Sequence, residues 1–242
     1  MAFLSDADVE RILVVVAHPD DIDFGTAGSV AVWTDAGIDV RYCLVTDGDA
    51  GGSDPSITRA DMAAMRRAEQ TAAAAMVGVT DLHFLGFPDG RVVADLDLRH
   101  AISRVIRDVR PQRVVSMSPV RSLDRIYASH PDHLATGEAT LAAVYPDSRN
   151  PFAFPDLLDN GHEPWTVSEV YLTAHDESTV YVDITETFER KLAALQCHVS
   201  QHSDPDRLER LLGDWGRANA ALAGLPEGRI AEGFRGVDVD PR

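Results

Sequence analysis

Residues 12–21 read ILVVVAHPDD, an unbroken apolar run that ends in histidine, proline and two aspartates. A continuous run rich in β-branched residues is typical of a parallel strand that is buried on both faces. In open α/β sheets, ligand sites lie outside the carboxyl ends of the strands, and this histidine and these aspartates stand at such an end. The stretch therefore predicts the first strand of a parallel sheet and one half of a functional site.

A second stretch, SHPDH at residues 129–133, repeats this chemistry after another apolar segment at residues 113–117. Either motif taken singly is also typical of an ordinary turn or of a helix start. Two such motifs, each beyond an apolar strand, favour a different interpretation, because the carboxyl ends of parallel strands meet at one edge of the sheet. We expect the two stretches to meet in space and to hold one metal ion.

Predicted strands and helices alternate along the chain, which implies a parallel sheet with right-handed crossovers. Apolar runs predict strands at residues 11–17, 39–46, 82–85, 113–117, 168–173 and 181–184. Amphipathic or alanine-rich stretches predict helices at residues 29–36, 57–77, 96–109, 134–144, 185–201 and 205–223. A long loop is expected at residues 145–164 and a glycine-rich end after residue 223. No convincing boundary divides the sequence, so residues 1–242 are expected to form a single α/β domain.

Bulk composition limits the classes of function. The formal net charge of −17 argues against nucleic acid or an anionic membrane surface as the main partner. No run of about 18 apolar residues is present, so no membrane span is expected. The beginning of the chain lacks the basic and apolar regions of a secretory signal. Two cysteines, Cys43 and Cys197, are too few for a disulfide framework, and we expect a cytoplasmic protein.

The two stretches contain the residue types that a catalytic metal requires. A catalytic zinc usually takes three protein ligands and leaves one position open. His18, Asp21 and His133 supply two imidazoles and one carboxylate from two strand ends. Zn²⁺ is the expected ion, although this mixture of ligands also suits another divalent metal.

The other charged groups of the two stretches have roles beside the metal. Asp20 adjoins a ligand and can accept a proton from zinc-bound water. A positively charged His130 can stabilise an oxyanion or protonate a leaving amine. Asp132 can orient one of the imidazoles through a hydrogen bond.

A nucleotide site is the interpretation that the sequence argues against. Residues 48–52 are rich in glycine but lack the spacing of a dinucleotide fingerprint. They also contain Asp49, whose negative charge would repel a phosphate. We therefore expect no nucleotide at this loop.

The residues 17–21 and 130–133 together resemble the motifs of the PIG-L/LmbE-like zinc deacetylases. This family includes the GlcNAc-phosphatidylinositol de-N-acetylases and the deacetylases of mycothiol and bacillithiol synthesis. The resemblance covers most of the chain. It extends to the glycine loop at residues 46–51, to Arg66 and Glu69, to the turn GFPDG at residues 86–90 and to the late helix at residues 191–201.

The resemblance implies a Rossmann-like, three-layer αβα fold with a mainly parallel sheet and a metal site at the C-terminal ends of the strands. It also implies hydrolysis of an N-acetyl group from an N-acetylglucosaminyl-type substrate. Zinc would be bound by His18, Asp21 and His133. Asp20 would be the general base that activates the zinc-bound water, and His130 would be the charged group on the tetrahedral intermediate.

The resemblance further implies that Arg66, Asp89 and Asp49 contact the sugar. Two positions depart from the family pattern, Ile22 and, with more consequence, the place of a tyrosine. Some relatives have a tyrosine two residues before the first histidine of the second motif, where this chain has Ala128. Tyr127 is one position away, so no tyrosine is assigned a role in assisting the carbonyl.

Other functions fit parts of the same pattern. An amidase that acts on a larger thiol-sugar conjugate or a glycopeptide would use the same chemistry, with the loop at residues 145–164 governing acceptance. A protein that binds metal and sugar without turnover would need no base, so Asp20 and His130 argue against it. The expected partner is a small N-acetylated amino sugar or thiol-sugar, and the sequence is compatible with a homo-oligomer.

Overall fold

Seven strands form one sheet in the structure, a computed structural model that describes residues 3–52, 54–124, 126–202 and 204–239. The strands are β1 Arg11–Val16, β2 Asp39–Thr46, β3 Leu82–Phe87, β4 Arg113–Met117, β5 Glu169–Thr173, β6 Val180–Asp183 and β7 Ala231–Asp238. The α-helices are α1 Asp21–Gly25, α2 Ala27–Asp35, α3 Arg59–Met76, α4 Leu96–Val109, α5 Pro131–Val144, α6 Pro155–Asp159, α7 Phe188–Gln196 and α8 Pro205–Leu222. Short 3₁₀ helices lie at Asp6–Asp8, Ile126–Ser129 and Asp147–Arg149.

The strand order is β3-β2-β1-β4-β5-β7-β6. Strands β1 to β5 pair in parallel, whereas β7 runs antiparallel to both β5 and β6. The order of the first five strands is that of a Rossmann sheet, and the order reverses between β1 and β4. The predicted α/β class and mainly parallel sheet are confirmed. The crevice outside the ends of β1 and β4 is where such sheets bind ligands.

Strand β1 is buried on both faces, as its continuous apolar sequence predicts. Ile12 and Val14 face the core that α2, α3 and α7 cover. Leu13 and Val15 face the core that α4 and α5 cover. The result is the predicted three-layer αβα arrangement, with β1 at its centre.

Several elements differ from the sequence-based expectation, among them the long loop expected at residues 145–164, which contains a 3₁₀ helix and α6. The end of the chain was expected to be an irregular, glycine-rich tail, but it contains the strand β7, inserted between β5 and β6. Glycine is depleted in strands, so Gly233 and Gly236 hide the strand pattern. The helix expected at residues 134–144 begins earlier, at Pro131, because the His130 side chain accepts a hydrogen bond from Asp132 N and proline favours the first helical position.

The late helix is shorter than the expected 185–201. It covers Phe188–Gln196, and its backbone then tightens to i→i−3 hydrogen bonds at Cys197 and His198. The His198 side chain is fully buried against Asp23, at 2.8 Å. This tertiary contact turns residues 197–202 back towards the end of β1.

The single lysine of the chain holds several elements near the end of β1. Lys191 Nζ on α7 donates to Glu232 Oε1 on β7 at 2.5 Å and to the Phe24 carbonyl of α1 at 2.6 Å. Glu232 also accepts hydrogen bonds from the backbone N–H groups of Gly28 and Ser29. A buried charge pair of this kind is costly to break from one side only. It therefore anchors α7 against the start of α2.

Gly137 on α5 lets the helix approach the end of β4 very closely. A Cβ atom at this position would lie 2.3 Å from the Met117 carbonyl oxygen and 2.9 Å from Pro119 N. Both contacts are to backbone, which cannot rotate away as a side chain can.

We predict that Gly137→Ala lowers the free energy of unfolding by about 2–3 kcal/mol, because the overpacked helix must shift away from β4. Chemical denaturation measures the change. Glu138→Ala, an exposed position on the same helix, is the control and should stay within about 0.5 kcal/mol of the wild type. Equal stability of the Gly137→Ala protein and the wild type would show that the contact is not as close as described.

Candidate metal and active site

The turn between β1 and α1 has an unusual backbone. Asp20 adopts a left-handed conformation, with φ of 86°. A non-glycine residue in this region costs about 1–3 kcal/mol and persists only where the surroundings enforce it. Here the Asp20 N–H donates to Gln70 Oε1 at 2.9 Å, and the Asp20 carbonyl accepts from Asp23 N and Phe24 N. The turn directs the side chains of Asp20 and Asp21 to different partners.

Three donor groups from the two predicted stretches converge. His18 Nδ1 lies 3.3 Å from Asp21 Oδ2, and His133 Nε2 lies 3.1 Å from Asp21 Oδ1. His133 Nε2 and His18 Nδ1 are themselves 3.3 Å apart. The expectation that the stretches at residues 17–21 and 129–133 meet in space agrees with these distances.

The other nitrogen of His18 is held by two carboxylates. His18 Nε2 is 3.2 Å from Asp89 Oδ1 and 3.3 Å from Asp132 Oδ2. Since a carboxylate only accepts hydrogen bonds, this nitrogen carries the proton. Asp132 is fully buried and also accepts from the N–H groups of Gly90 and Val92. The His18 ring is therefore fixed with Nδ1 directed at Asp21 and His133.

The electrostatics of this cluster favour positive charge. Burial alone would lower the pKa of His18, but hydrogen bonds to Asp132, Asp21 and Asp89 raise that pKa to about 12. Burial alone would raise the pKa of Asp21, but His133 and His18 hold that pKa well below its usual range. The carboxylates thus stabilise a cation among them, whether a proton or a metal ion.

His130 lies beside this group but points differently. Its Nδ1 accepts a hydrogen bond from Asp132 N at 3.2 Å, and its ring centroid is 5.0 Å from that of His18. Donor atoms of His18, His130 and His133 lie within 4.8 Å of one another, as do those of His18, Asp89 and Asp132. Tyr127, which lies one position from the place where some relatives have a tyrosine, is 80% exposed.

Arg66 is buried under the end of β1. Its guanidinium donates to the Pro19 carbonyl at 2.6 Å and to the Gly48 carbonyl at 3.2 Å, and it lies 3.4 Å from Asp20 Oδ2. Gly48 has φ of +66°, and a Cβ there would lie 2.4 Å from the Arg66 Nη1 atom. Arg66 thus ties the glycine loop to the turn that contains Asp20.

Asp89 and Asp49 hold the neighbouring loops together. The Asp49 side chain accepts from Asp89 N at 2.9 Å and from Arg59 Nε at 2.6 Å. Asp89 Oδ2 accepts from Ala50 N at 3.1 Å, while its other oxygen faces His18. All three residues expected to contact sugar, Arg66, Asp89 and Asp49, therefore also have partners within the protein.

Sequence reasoning did not assign a role to Gln70, His198 or His202. Gln70 accepts from Asp20 N and donates through Nε2 to the buried Asp23 at 3.0 Å. His198 contacts the same Asp23 oxygen. His202 Nε2 is 3.2 Å from Asp20 Oδ2. The sequence carried a signal only for His198, which lies within residues 191–201 and their similarity to a family helix; Gln70 and His202 lie outside that stretch.

The comparisons with known proteins agree with this geometry. Residues 13–144 match the family model for PIG-L, described as GlcNAc-PI de-N-acetylase. The chain belongs to the PIG-L family. This PIG-L protein is 33% identical to the diacetylchitobiose deacetylase of Thermococcus kodakarensis, over 95% of its own length and 84% of that relative's. The predicted family is confirmed.

Two further proteins similar to this PIG-L chain have named functions. A Bacillus anthracis protein named probable N-acetyl-alpha-D-glucosaminyl L-malate deacetylase 2 is 31% identical, over 79% of this chain and 81% of that protein. The solved structure of the N,N'-diacetylchitobiose deacetylase from Pyrococcus horikoshii, with its inhibitor MPG, matches with a TM-score of 0.88 at 29% identity. The match covers 97% of this chain and 88% of that one. None of the helices in the described parts of the chain has the length and apolar character to cross a membrane.

We predict that Arg66→Ala lowers the free energy of unfolding by about 2–3 kcal/mol, because two backbone carbonyls lose a buried charged donor. The adjacent Arg67 on the same helix is the matched control, since its side chain is 45% exposed and pairs with Asp47 at the surface. Arg67→Ala should cost less than about 1 kcal/mol. Urea denaturation of both variants makes the comparison, and equal losses would contradict the structural role of Arg66.

Proposed function

We propose that this PIG-L protein is a zinc-dependent N-deacetylase that removes the acetyl group from an N-acetylglucosaminyl-type compound. The observation that carries the proposal is the convergence of His18, Asp21 and His133. His18 Nδ1 lies 3.3 Å from one Asp21 carboxylate oxygen, His133 Nε2 lies 3.1 Å from the other, and the two nitrogens lie 3.3 Å apart. The deacetylase names of the relatives support the reaction and the type of substrate.

The spacing of the three donors fits a zinc ion. Zinc binds imidazole nitrogen and carboxylate oxygen at about 2.0–2.1 Å in tetrahedral geometry, so two ligands should lie about 3.3 Å apart. Two imidazoles, one carboxylate and an open fourth position are also the usual composition of a catalytic zinc site. Another divalent metal would find the same donors.

The hydrogen-bond pattern favours His18, Asp21 and His133 as the metal ligands over the other donor groups nearby. His130 Nδ1 accepts from Asp132 N, so in neutral His130 the proton is on Nε2 and no lone pair is left for a metal. Asp89 and Asp132 accept from backbone N–H groups and from His18 Nε2. They support the orientation of His18, as expected for carboxylates behind a metal-binding histidine.

The residues around the metal would divide the hydrolysis between them. When bound, zinc would polarise the acetyl carbonyl and lower the pKa of water. Asp20 takes a proton from the attacking water, whose oxygen bonds to the carbonyl carbon. His130, whose pKa is lowered by burial and by the neighbouring His18, would act as a neutral donor, and its Nε2–H would stabilise the negative charge on the carbonyl oxygen. Asp20 then returns its proton to nitrogen as the carbon–nitrogen bond breaks, leaving a free amine and acetic acid, which ionises to acetate.

We also propose that Arg66, Asp89 and Asp49 contact the sugar. The side chain of Asp49 is 21% exposed, and those of Arg66 and Asp89 are 5% and 9% exposed. Asp49 is therefore the most accessible of the three.

Residues 1–242 would form one deacetylase domain, which the single sheet supports. A cytoplasmic location is supported by the two free cysteines, Cys43 and Cys197.

We predict that zinc-loaded protein releases acetate from N-acetylglucosaminides and that a chelator abolishes this release, which added Zn²⁺ restores. Mass spectrometry of the products and metal analysis of the protein provide the measurements. His133→Ala should lose most of the bound zinc because a ligand is missing. His100→Ala should keep it, because His100 pairs with Asp156 at the surface. Full activity of the metal-free protein would contradict the proposal. Release of an acid larger than acetate would instead indicate an amidase that acts on a larger thiol-sugar conjugate or a glycopeptide.

We predict that Asp20→Asn retains zinc and stability but loses at least 100-fold in kcat, because general base catalysis contributes about 10²–10⁴-fold. Asparagine tolerates the left-handed backbone that residue 20 adopts, so the turn should stay intact. Metal content and thermal unfolding are the controls. Near-full turnover in this variant would rule out Asp20 as the base.

A further inference from the structure

The segment after α7 brings a histidine to the proposed base. His202 Nε2 lies 3.2 Å from Asp20 Oδ2, across 182 positions of sequence. Because a carboxylate only accepts hydrogen bonds, Nε2 carries the proton and His202 is the donor. We propose that His202 is a positioning residue for the deacetylation, holding the Asp20 carboxylate in its productive orientation. This inference rests on the proposed function.

His202 is itself held in place. Its ring meets the Phe24 ring edge to face, with centroids 4.9 Å apart, and its side chain is 19% exposed. Its backbone N–H donates to the His198 carbonyl at 3.0 Å. Ser200, two residues earlier, donates from both its N–H and its hydroxyl to Glu69 on α3. The imidazole therefore has a defined direction before any substrate binds.

Among the described residues, the side chains that contact the Asp20 carboxylate both approach the same oxygen atom. His202 Nε2 at 3.2 Å and the Arg66 guanidinium at 3.4 Å both approach Oδ2. The Asp20 backbone is fixed separately by Gln70, which donates to the Asp23 carboxylate that His198 also contacts. With Oδ2 held from two sides, Oδ1 is the oxygen that can take the proton of water.

His202 and Arg66 contribute differently to this arrangement. Arg66 is occupied by the Pro19 and Gly48 carbonyls and supports the loops as well as Asp20. The Nε2 atom of His202 has Asp20 as its hydrogen-bond partner among the described residues. Removal of the imidazole should therefore loosen the base while the loops and the proposed metal ligands stay in place. The expected consequence is a slower chemical step with substrate binding unchanged.

The test compares His202→Ala and His202→Gln in the zinc-loaded protein, with acetate release as the assay. His202→Ala should lower kcat on the order of 10–100-fold, because small misplacements of a reacting group have effects of this size. KM and bound zinc should change less than about twofold. His202→Gln should recover most of kcat, since its amide N–H can reach the same oxygen. His100→Ala, which removes an exposed histidine–aspartate pair, should behave as the wild type.

A double variant tests whether His202 acts through Asp20. If it does, Asp20→Asn with His202→Ala should be no slower than Asp20→Asn alone, because the losses of residues that act as a unit do not add. Unchanged kcat in His202→Ala, a rise in KM alone, no recovery with glutamine, or additive losses would each overturn the proposal. If the wild type released no acetate, the proposed function itself would be overturned. If the wild type released acetate but the variants behaved in one of these ways, only the role of His202 would be overturned.

Discussion

The left-handed turn at Asp20 is the constraint on which the site depends. Strand β1 is buried on both faces, so its end cannot move without disturbing both layers of the core. The next helix starts at Asp21, which leaves the chain almost no residues in which to turn. The strained conformation makes two adjacent carboxylates diverge. Asp21 faces His18 and His133, whereas Asp20 faces Arg66 and His202.

A surplus of negative charge governs the chemistry of this crevice. The carboxylates of Asp21, Asp89 and Asp132 surround His18. Backbone N–H donors from the loop after β3 stabilise Asp132, and one from the loop after β2 stabilises Asp89, so both remain ionised despite burial. Such a group stabilises a cation at its centre, and the high pKa of His18 expresses the same preference in terms of a proton. The arrangement lies where the strand order reverses, the usual ligand position in this type of sheet.

The proximity of the two HPD stretches was predictable because each signal is local. A buried strand followed by histidine and aspartate specifies both the place and the residue type. The supporting contacts were not predictable in this way. Gln70 lies on the side of a long helix, and His198 and His202 lie in a segment whose sequence is typical of a continuing helix. Their partners are more than 45 positions away, so no sequence spacing reveals them.

The sequence by itself determined the α/β class, the central strand, the family motifs and the candidate groups at residues 18, 20, 21, 130, 132 and 133. These follow from hydrophobic patterning and from side-chain chemistry, which are properties of short stretches. Only the tertiary structure decided which nitrogen of His18 faces which carboxylate, which oxygen of Asp20 is held, and that a glycine-rich end becomes strand β7. These features depend on packing between elements that are distant along the chain, where burial and hydrogen-bond partners outweigh local propensity.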